Sequence, residues 1–471
     1  MSVHSLYGPI QAALSERPLL LVWPRVGAAA EVVAQLNGLG ATVLGVAGVV
    51  RGRSDLPAGL PTLALTDAGA EADAAGPDFI REFQRYERRM AAGSDALQGF
   101  FDRLDPQRQA RVLAPSAAEL AAVCDRPVWG TVDPVARRAL EDKTTIDALW
   151  DALGCARAPS AVVPLAEAER AAADLDRGGG TVWAGDNTTT IEGGAITTRH
   201  VFDRVSKEAA ITLFSPRCAS VRVMPYIAGV PCAIQALCTP SGVVALRPME
   251  MLVLREPTEG RFVLCGMSTQ WDPSWEARAA MRSLAHRVGA HLHARWGWRG
   301  GFSIDGILDP EGSFWPTELN ARYSAGLSLL ETVLPGPPLQ FIDRALRSGA
   351  DLPIEAAALE RALLPAVDHR RVISARLHHL PMPPEGGATL RLAPDEAGVW
   401  VEAPTATRSP ATLRWTDTGT HGVLTLDPEP SLIRRGPPLG PRFAEALAAA
   451  EARWGLGLPP LRSPAAEALK G

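Results

Sequence analysis

Lysine is scarce in this 471-residue chain: Lys143, Lys207 and Lys470 are the only ones, and arginine supplies nearly all the positive charge. In such a background an interior lysine points to a role in which a planar guanidinium cannot replace a compact ammonium. The six cysteines, Cys124, Cys155, Cys218, Cys232, Cys238 and Cys265, show no C-x-x-C spacing. That argues against a zinc cluster or a disulfide framework and leaves buried thiols. No apolar run reaches membrane-spanning length, and the start lacks a charged segment followed by a long apolar one, so a soluble, cytoplasmic protein is expected. There is no basic excess either. A net charge of -5 and a pI near 6.0 make nucleic acid an unexpected partner, though a local basic groove for nucleotide phosphates is compatible with them. No Ser-His-Asp or Cys-His set and no internal repeat is evident. With 46% hydrophobic and 21% charged residues, the composition is that of an ordinary globular protein of about three domains.

What is present centres on the stretch from Gly301 to Gly326. Its first arm, Gly301 to Leu308, is apolar and β-favouring, the second begins at Ser313, and Asp309-Pro310-Glu311-Gly312 has the residue types of a type I turn. With Asp309 and Gly312 flanking the turn, Asp305 pairs with Pro316 and lies diagonally from Glu318. The period of two then puts Glu318, Asn320 and Arg322 on the face of Asp305. Diagonal neighbours are about 7–8 Å apart, so the two carboxylates can share a cation. A three-residue loop with a bulge would slip the pairing by one and turn Asp305 to the other face. Two acids and an amide are hard oxygen ligands, suited to Mg²⁺ shared with substrate phosphates. Arg322 adds a planar donor fork for a phosphate or carboxylate. The bland alternative is a surface hairpin with solvated charges.

Residues 19–47 read as strand LLLVW, helix AAAEVVAQLNG and strand ATVLGVAG, the opening of a doubly wound α/β unit. Its first turn, Pro24-Arg25-Val26-Gly27, carries no G-x-G-x-x-G fingerprint. FIREFQRYERRM reads as an amphipathic helix, and SAAELAAVC as another capped by Ser116. Glu141-Asp142-Lys143 opens a helix, KTTIDALWDALG, where a lysine pays an unfavourable dipole term. Strand TVWAG leads into the loop Asp186 to Gly194, whose small and hydroxyl residues allow backbone N–H groups to surround phosphate oxygens. A flexible hairpin loop is the other reading. Strands SVRVMPYIAG, PCAIQALC and VVALRPMEMLVL follow, with Pro225 marking where the chain leaves a ladder. Arg247 is a candidate for the cleft, and Glu250 for a surface pair. After helix EARAAMRSLAHRVGAHLHARW and the hairpin, AGLSLLETVL reads as a core helix. The last 120 residues are short strands and a late helix without a catalytic set.

A helix-start lysine, a glycine-rich strand loop, a hinge between strands and an acidic hairpin, in that order, resemble the ATP-grasp superfamily. The spacing Asp305-x12-Glu318-x-Asn320 is its most specific part. The resemblance covers roughly residues 1–350 and implies an α/β and α+β protein: a pre-ATP-grasp α/β domain (1–135), an ATP-grasp domain (136–350) and a small C-terminal α+β domain (351–471). It implies ATP and Mg²⁺, with Mn²⁺ as an alternative, the metal ligands being Asp305, Glu318 and Asn320. Lys143 is similar to the lysine that contacts the phosphates, and Arg322 to the arginine that steadies a phosphate or the reacting carboxylate. Gly185, Asn187, Thr188, Gly193 and Gly194 belong to the phosphate-covering loop, and Met224, Tyr226 and Arg247 to the nucleotide pocket. The chain departs from the pattern at Val182-Trp183-Ala184, where many members have V-x-K, and at the hinge Met224 to Gly229, which lacks an acidic residue. Either another cation, such as Arg222 or Arg247, substitutes there, or nucleotide binding is weakened. The implied activity is ligation of small-molecule carboxylates to amines through an acyl phosphate. A small-molecule kinase and a non-catalytic nucleotide-binding protein are the alternatives, no nucleic acid or membrane is engaged, and a homodimer is left open.

Overall fold

The apolar runs LLLVW and ATVLGVAG form the centre of a parallel sheet in the computed structural model, which describes residues 3–52, 55–66, 79–186, 195–403, 408–418, 421–429 and 431–468. Strands β1 (Leu19–Arg25), β2 (Val43–Val50), β3 (Thr62–Ala64) and β4 (Arg111–Leu113) lie in the order β3-β2-β1-β4. Both faces are covered, which is why the runs are continuous rather than alternating. Leu19 and Leu21 enter one core with the helix Ala30–Gly38, while Leu20 and Val22 enter another with Tyr86, Phe100 and Phe101. The segment around Ser116 departs from the expected helix. It is a turn followed by a short hairpin, β5 (Ala122–Val123) and β6 (Arg126–Pro127), with Cys124 and Asp125 at positive φ. The buried Arg126 guanidinium, bonded to Asp105 and Asp102, fixes that hairpin and overrides the local helical pattern.

A second sheet contains β7 (Ala161–Pro164), β8 (Thr181–Gly185), β9 (Thr198–Val201) and β10 (Ser220–Pro225) in the antiparallel order β7-β10-β8-β9. One face, carrying Trp183, Val201, Val221 and Val223, packs on the helices Ala168–Leu175 and Arg204–Phe214. By alternation, Val182, Ala184, His200, Arg222 and Met224 occupy the other.

The third sheet starts with β11 (Val230–Thr239), β12 (Gly242–Ala245), β13 (Met249–Arg255), β14 (Phe262–Ser268), β15 (Gly300–Leu308) and β16 (Phe314–Asn320). It runs on through β17 (Ile373–Leu380), β18 (Ala388–Pro394), β19 (Trp400–Glu402), β20 (Ala411–Asp417) and β21 (Gly422–Pro428), so the C-terminal strands extend the central sheet. The junction is β14 against β17, where a Cβ at Gly266 would stand 1.8 Å from the Ser374 carbonyl oxygen. Helix Trp275–Trp296 covers one face of β11, β12 and β15. Among the described residues no helix is long and apolar enough to cross a membrane.

Candidate active site

The β15–β16 hairpin turns through Asp309 to Gly312, with Gly312 N–H donating to the Asp309 carbonyl (3.1 Å) and Asp309 N–H to that of Ser313 (3.0 Å). Gly312 has φ +86°, so the loop holds three residues and the pairing slips by one from the simple expectation. A second irregularity follows. Pro316 pairs with Gly306 and Glu318 with Asp305, leaving Thr317 as the extra residue of a bulge. Two one-residue slips restore the original parity, so Asp305 and Glu318 share a face and stand directly opposite each other instead of diagonally.

Two carboxylates so placed repel. Burial and then the neighbouring Glu318 push the Asp305 carboxyl up to about 7, against the pull of Arg322 and hydrogen bonds from Asn320 and Ser303. Asn320 Nδ2 donates to Asp305 Oδ2 (2.9 Å), and Arg322 Nη2 donates to Asn320 Oδ1 (2.7 Å), making one chain of side chains along the hairpin. Arg322 is held from the other side by Glu141, which also takes Arg137 Nε at 3.3 Å. Lys143 Nζ lies 3.4 Å from Glu318 Oε1 and is buried. The lysine does not open a helix: Asp142 ends the helix Pro134–Glu141, and its carboxylate holds a turn by accepting from Thr144 N and Oγ1. The next helix begins at Ile146. The expected dipole cost therefore does not arise, and the turn delivers the ammonium to Glu318.

The opposing wall is the free face of the second sheet. Ala184 is directly opposite Arg222 on β10, so a guanidinium shares the face on which the alanine stands. Arg222 is buried, bonds Asp147 through Nε (2.9 Å) and Nη2 (2.6 Å), and reaches the Thr317 carbonyl at 3.4 Å. Ala158, Ala184 and Met224 form a small apolar cluster against Val182, Ile227 and Trp315. Trp315 comes from β16, so the two sheets meet across this cleft. Gly185 ends β8 in a tight place, where a Cβ would lie 2.3 Å from Cys218 Sγ. Asn187, Thr188, Gly193 and Gly194 lie outside the described residues.

Tyr226, at the crossover from β10 to β11, donates its hydroxyl to Glu467 (2.8 Å), a residue of the short helix Pro464–Ala468. His200 stacks on Tyr226 with centroids 4.0 Å apart, and its Nε2 meets the Gly179 carbonyl at 2.7 Å. Burial holds His200 down to about 4, so the ring is neutral; with Nε2–H on the carbonyl, Nδ1 is free to accept from Arg255 at 2.8 Å. The carboxylate beside the hinge tyrosine comes from Glu467, which accepts from both Tyr226 and Arg255. Nothing local to either segment signals that meeting, and the same is true of Glu141 beside Arg322 and Asp147 beside Arg222.

Arg247 departs from the expectation of a cleft cation. Its buried guanidinium bonds Asp368 (2.5 Å), Asp272 and the Trp271 carbonyl (3.0 Å), which commits it to the packing of the helix Ala356–His369. Glu250 is not on the surface. It is buried and caps the helix Gly440–Trp454 by accepting from Leu439 N and Gly440 N, both at 2.7 Å.

No family model and no curated protein sequence matches the chain. Solved structures do. The biotin carboxylase domain of Hydrogenobacter thermophilus 2-oxoglutarate carboxylase, solved with MgADP, ADP and bicarbonate, superposes with a TM-score of 0.51 at 12% identity, over 87% of this chain and 86% of that one. The carboxyaminoimidazole ribonucleotide synthase of Aspergillus clavatus, complexed with ATP, gives 0.50 at 12% identity, over 94% of this chain and 100% of that one. The chain has the ATP-grasp fold. The second and third sheets meet where Trp315 of β16 packs against Met224 of β10, beside the face that carries Asp305 and Glu318. The donor set fits a small hard cation: two acids face each other, the carboxyl of Asp305 is raised to about 7 by burial and then by Glu318, and the Asn320 amide stands next in the row. Among the described residues no group of three or more His, Cys, Asp and Glu is placed to hold a metal ion.

Proposed function

We propose that the chain is an ATP-dependent ligase that joins a carboxylate to an amine through an acyl phosphate. The observation that carries this reading is the facing pair Asp305 and Glu318, continued along one face by Asn320 and Arg322 and met by Lys143. Asp305, Glu318 and Asn320 would hold magnesium, which when bound neutralises charge on the transferring phosphoryl oxygens. Lys143, 3.4 Å from Glu318 Oε1, would bind the same phosphates as a compact charge. Arg322, aligned by Glu141, presents its fork to the reacting carboxylate and then to the acyl phosphate. Gly185 begins the loop over the phosphates, and Met224 and Tyr226 line the base end, with Arg222 in place of a strand lysine.

A substrate carboxylate oxygen attacks the γ-phosphorus, the bond to the β-phosphate oxygen breaks, and ADP leaves. The amine attacks the acyl carbon, expels phosphate and loses its proton to solvent. No side-chain nucleophile is needed, consistent with the lack of one in the sequence. Residues 1–135 are proposed as the substrate-facing domain, 136–350 as the ATP-binding unit and 351–471 as its C-terminal support.

The test is release of ADP and phosphate with pools of carboxylates and amines. Release that requires both pools is the expected result. A phosphorylated product without free phosphate would make the protein a kinase, and ATP binding without turnover on any pool would make it a binding module.

A further inference from the structure

A groove of about 330 Å³ lies outside the cleft, between the N-terminal sheet and the helix Leu339–Arg347. Arg17, Arg111 and Arg347 line it, with Glu16, Trp129 and the backbone around Gly130. Arg17 precedes β1 and Arg111 begins β4, so the groove is at the amino-terminal edge of the parallel sheet. Open α/β sheets keep their usual ligands at the carboxyl edge, the opposite one. Arg347 holds the Gly301 carbonyl (2.8 Å), four residues and about 13 Å of strand before Asp305.

Positive charge is in excess here. Arg111 is buried against the Trp129 ring (4.9 Å), donates to the Ala13 carbonyl, and has one carboxylate nearby, the largely exposed Glu16 at 3.4 Å. Its Nε has no acceptor, and burial draws its pKa down because Glu16 compensates only in part. Behind it, Arg344 is buried with its donors on the carbonyls of Trp129 and Ala114. Arg347 pairs with the buried carboxylate of Asp343 at 2.9 Å, which also lies near Arg344. Exposed Arg17, buried Arg111 and partly buried Arg347 line the groove, with Arg344 behind them, against Glu16 and Asp343, and this surplus of positive charge is one that an anion stabilises. The volume is at the lower end of small-molecule sites, and the Trp129 indole supplies a flat apolar wall.

We propose that this groove binds a small metabolite through a phosphate or carboxylate group, at a site separate from the nucleotide cleft. Calorimetry at low ionic strength, without nucleotide or magnesium, uses inorganic phosphate in one arm and citrate in the other; the arm that saturates identifies the anionic group. Saturable binding of either is expected. Arg17→Glu, an exposed change that leaves the packing intact, should weaken it by about tenfold or more, and Arg111→Gln should do the same. Glu318→Ala should leave it unchanged, which separates this site from the ligase reading. Failure of both anions to saturate at millimolar concentration, equal binding by Arg17→Glu, or loss of binding in Glu318→Ala would each overturn the proposal.

Discussion

Asp305 and Glu318 face each other at a pairing distance of about 5 Å between Cβ atoms, and that closeness gives the site its character. A carboxyl raised to about 7 in the absence of a cation is a group ready to exchange its proton for one. Arg322 depends on Glu141 in the same way that Asp305 depends on Asn320. Glu141→Gln leaves Arg322 and Arg137 short of a buried charge partner and should lower stability by about 3 kcal/mol, read from urea unfolding. It should also reduce turnover more than ATP-analogue affinity. Glu250 supplies a pH dependence: burial holds its carboxyl up to about 7, despite the two backbone donors. The folded protein then binds more protons than the unfolded chain between the ordinary glutamate value and about 7. Stability from this group is present at low pH and is lost as pH rises through about 7. Asp305 adds a slope of the same sign without a cation. Glu250→Gln should remove its share, at most about 1.4 kcal/mol per pH unit, measured as the change in urea midpoint between about pH 5 and about pH 8.

The hairpin shows what an element reveals in sequence and what it hides. Turn chemistry and alternation put the four polar residues on one face, because both are local properties of Asp309 to Gly312 and of the strands. The true register was hidden, since the three-residue loop and the Thr317 bulge are set by cross-strand contacts: Trp315 Nε1 to Asp309 Oδ2 (2.7 Å) and Thr317 Oγ1 to the Asp305 carbonyl (3.2 Å). The shared face survived only because the slips cancelled in parity. Gly312 is needed for its positive φ, while a Cβ there would meet nothing within 4 Å. Gly312→Ala should therefore cost about 1 kcal/mol through backbone strain alone, in urea unfolding, and leave cation affinity unchanged. The Ser116 segment has alanine and leucine at helical spacing, yet it is not a helix, and the Arg126–Asp105 ion pair anchors the hairpin that follows it. Lys143 is legible by residue type but not by element, since a turn built on Asp142 is indistinguishable from a helix cap in sequence.

At the scale of the molecule, the order of parts along the chain was legible and the long-range meetings were not. The parallel N-terminal sheet follows from continuous apolar runs, and the two lobes from their strand-rich segments. The extension of the central sheet into the last hundred residues was not visible, nor was the return of Glu467 to Tyr226 across 241 positions. Both depend on pairings with no local signal. The cleft is closed by contacts between lobes, Trp315 with the Met224 cluster and Arg222 with Asp147. Arg222→Ala should therefore loosen the small lobe and raise the KM for ATP by about tenfold with a smaller change in kcat, read from steady-state kinetics. The central claim is that the Asp305–Glu318 face is where a magnesium-bound nucleotide sits. Calorimetric titration of a non-hydrolysable ATP analogue into the wild type and Glu318→Ala, with and without Mg²⁺, tests it directly. Wild-type binding should strengthen by about tenfold or more with Mg²⁺, and in a folded Glu318→Ala protein that gain should be gone. An undiminished Mg²⁺-dependent gain in Glu318→Ala would contradict it.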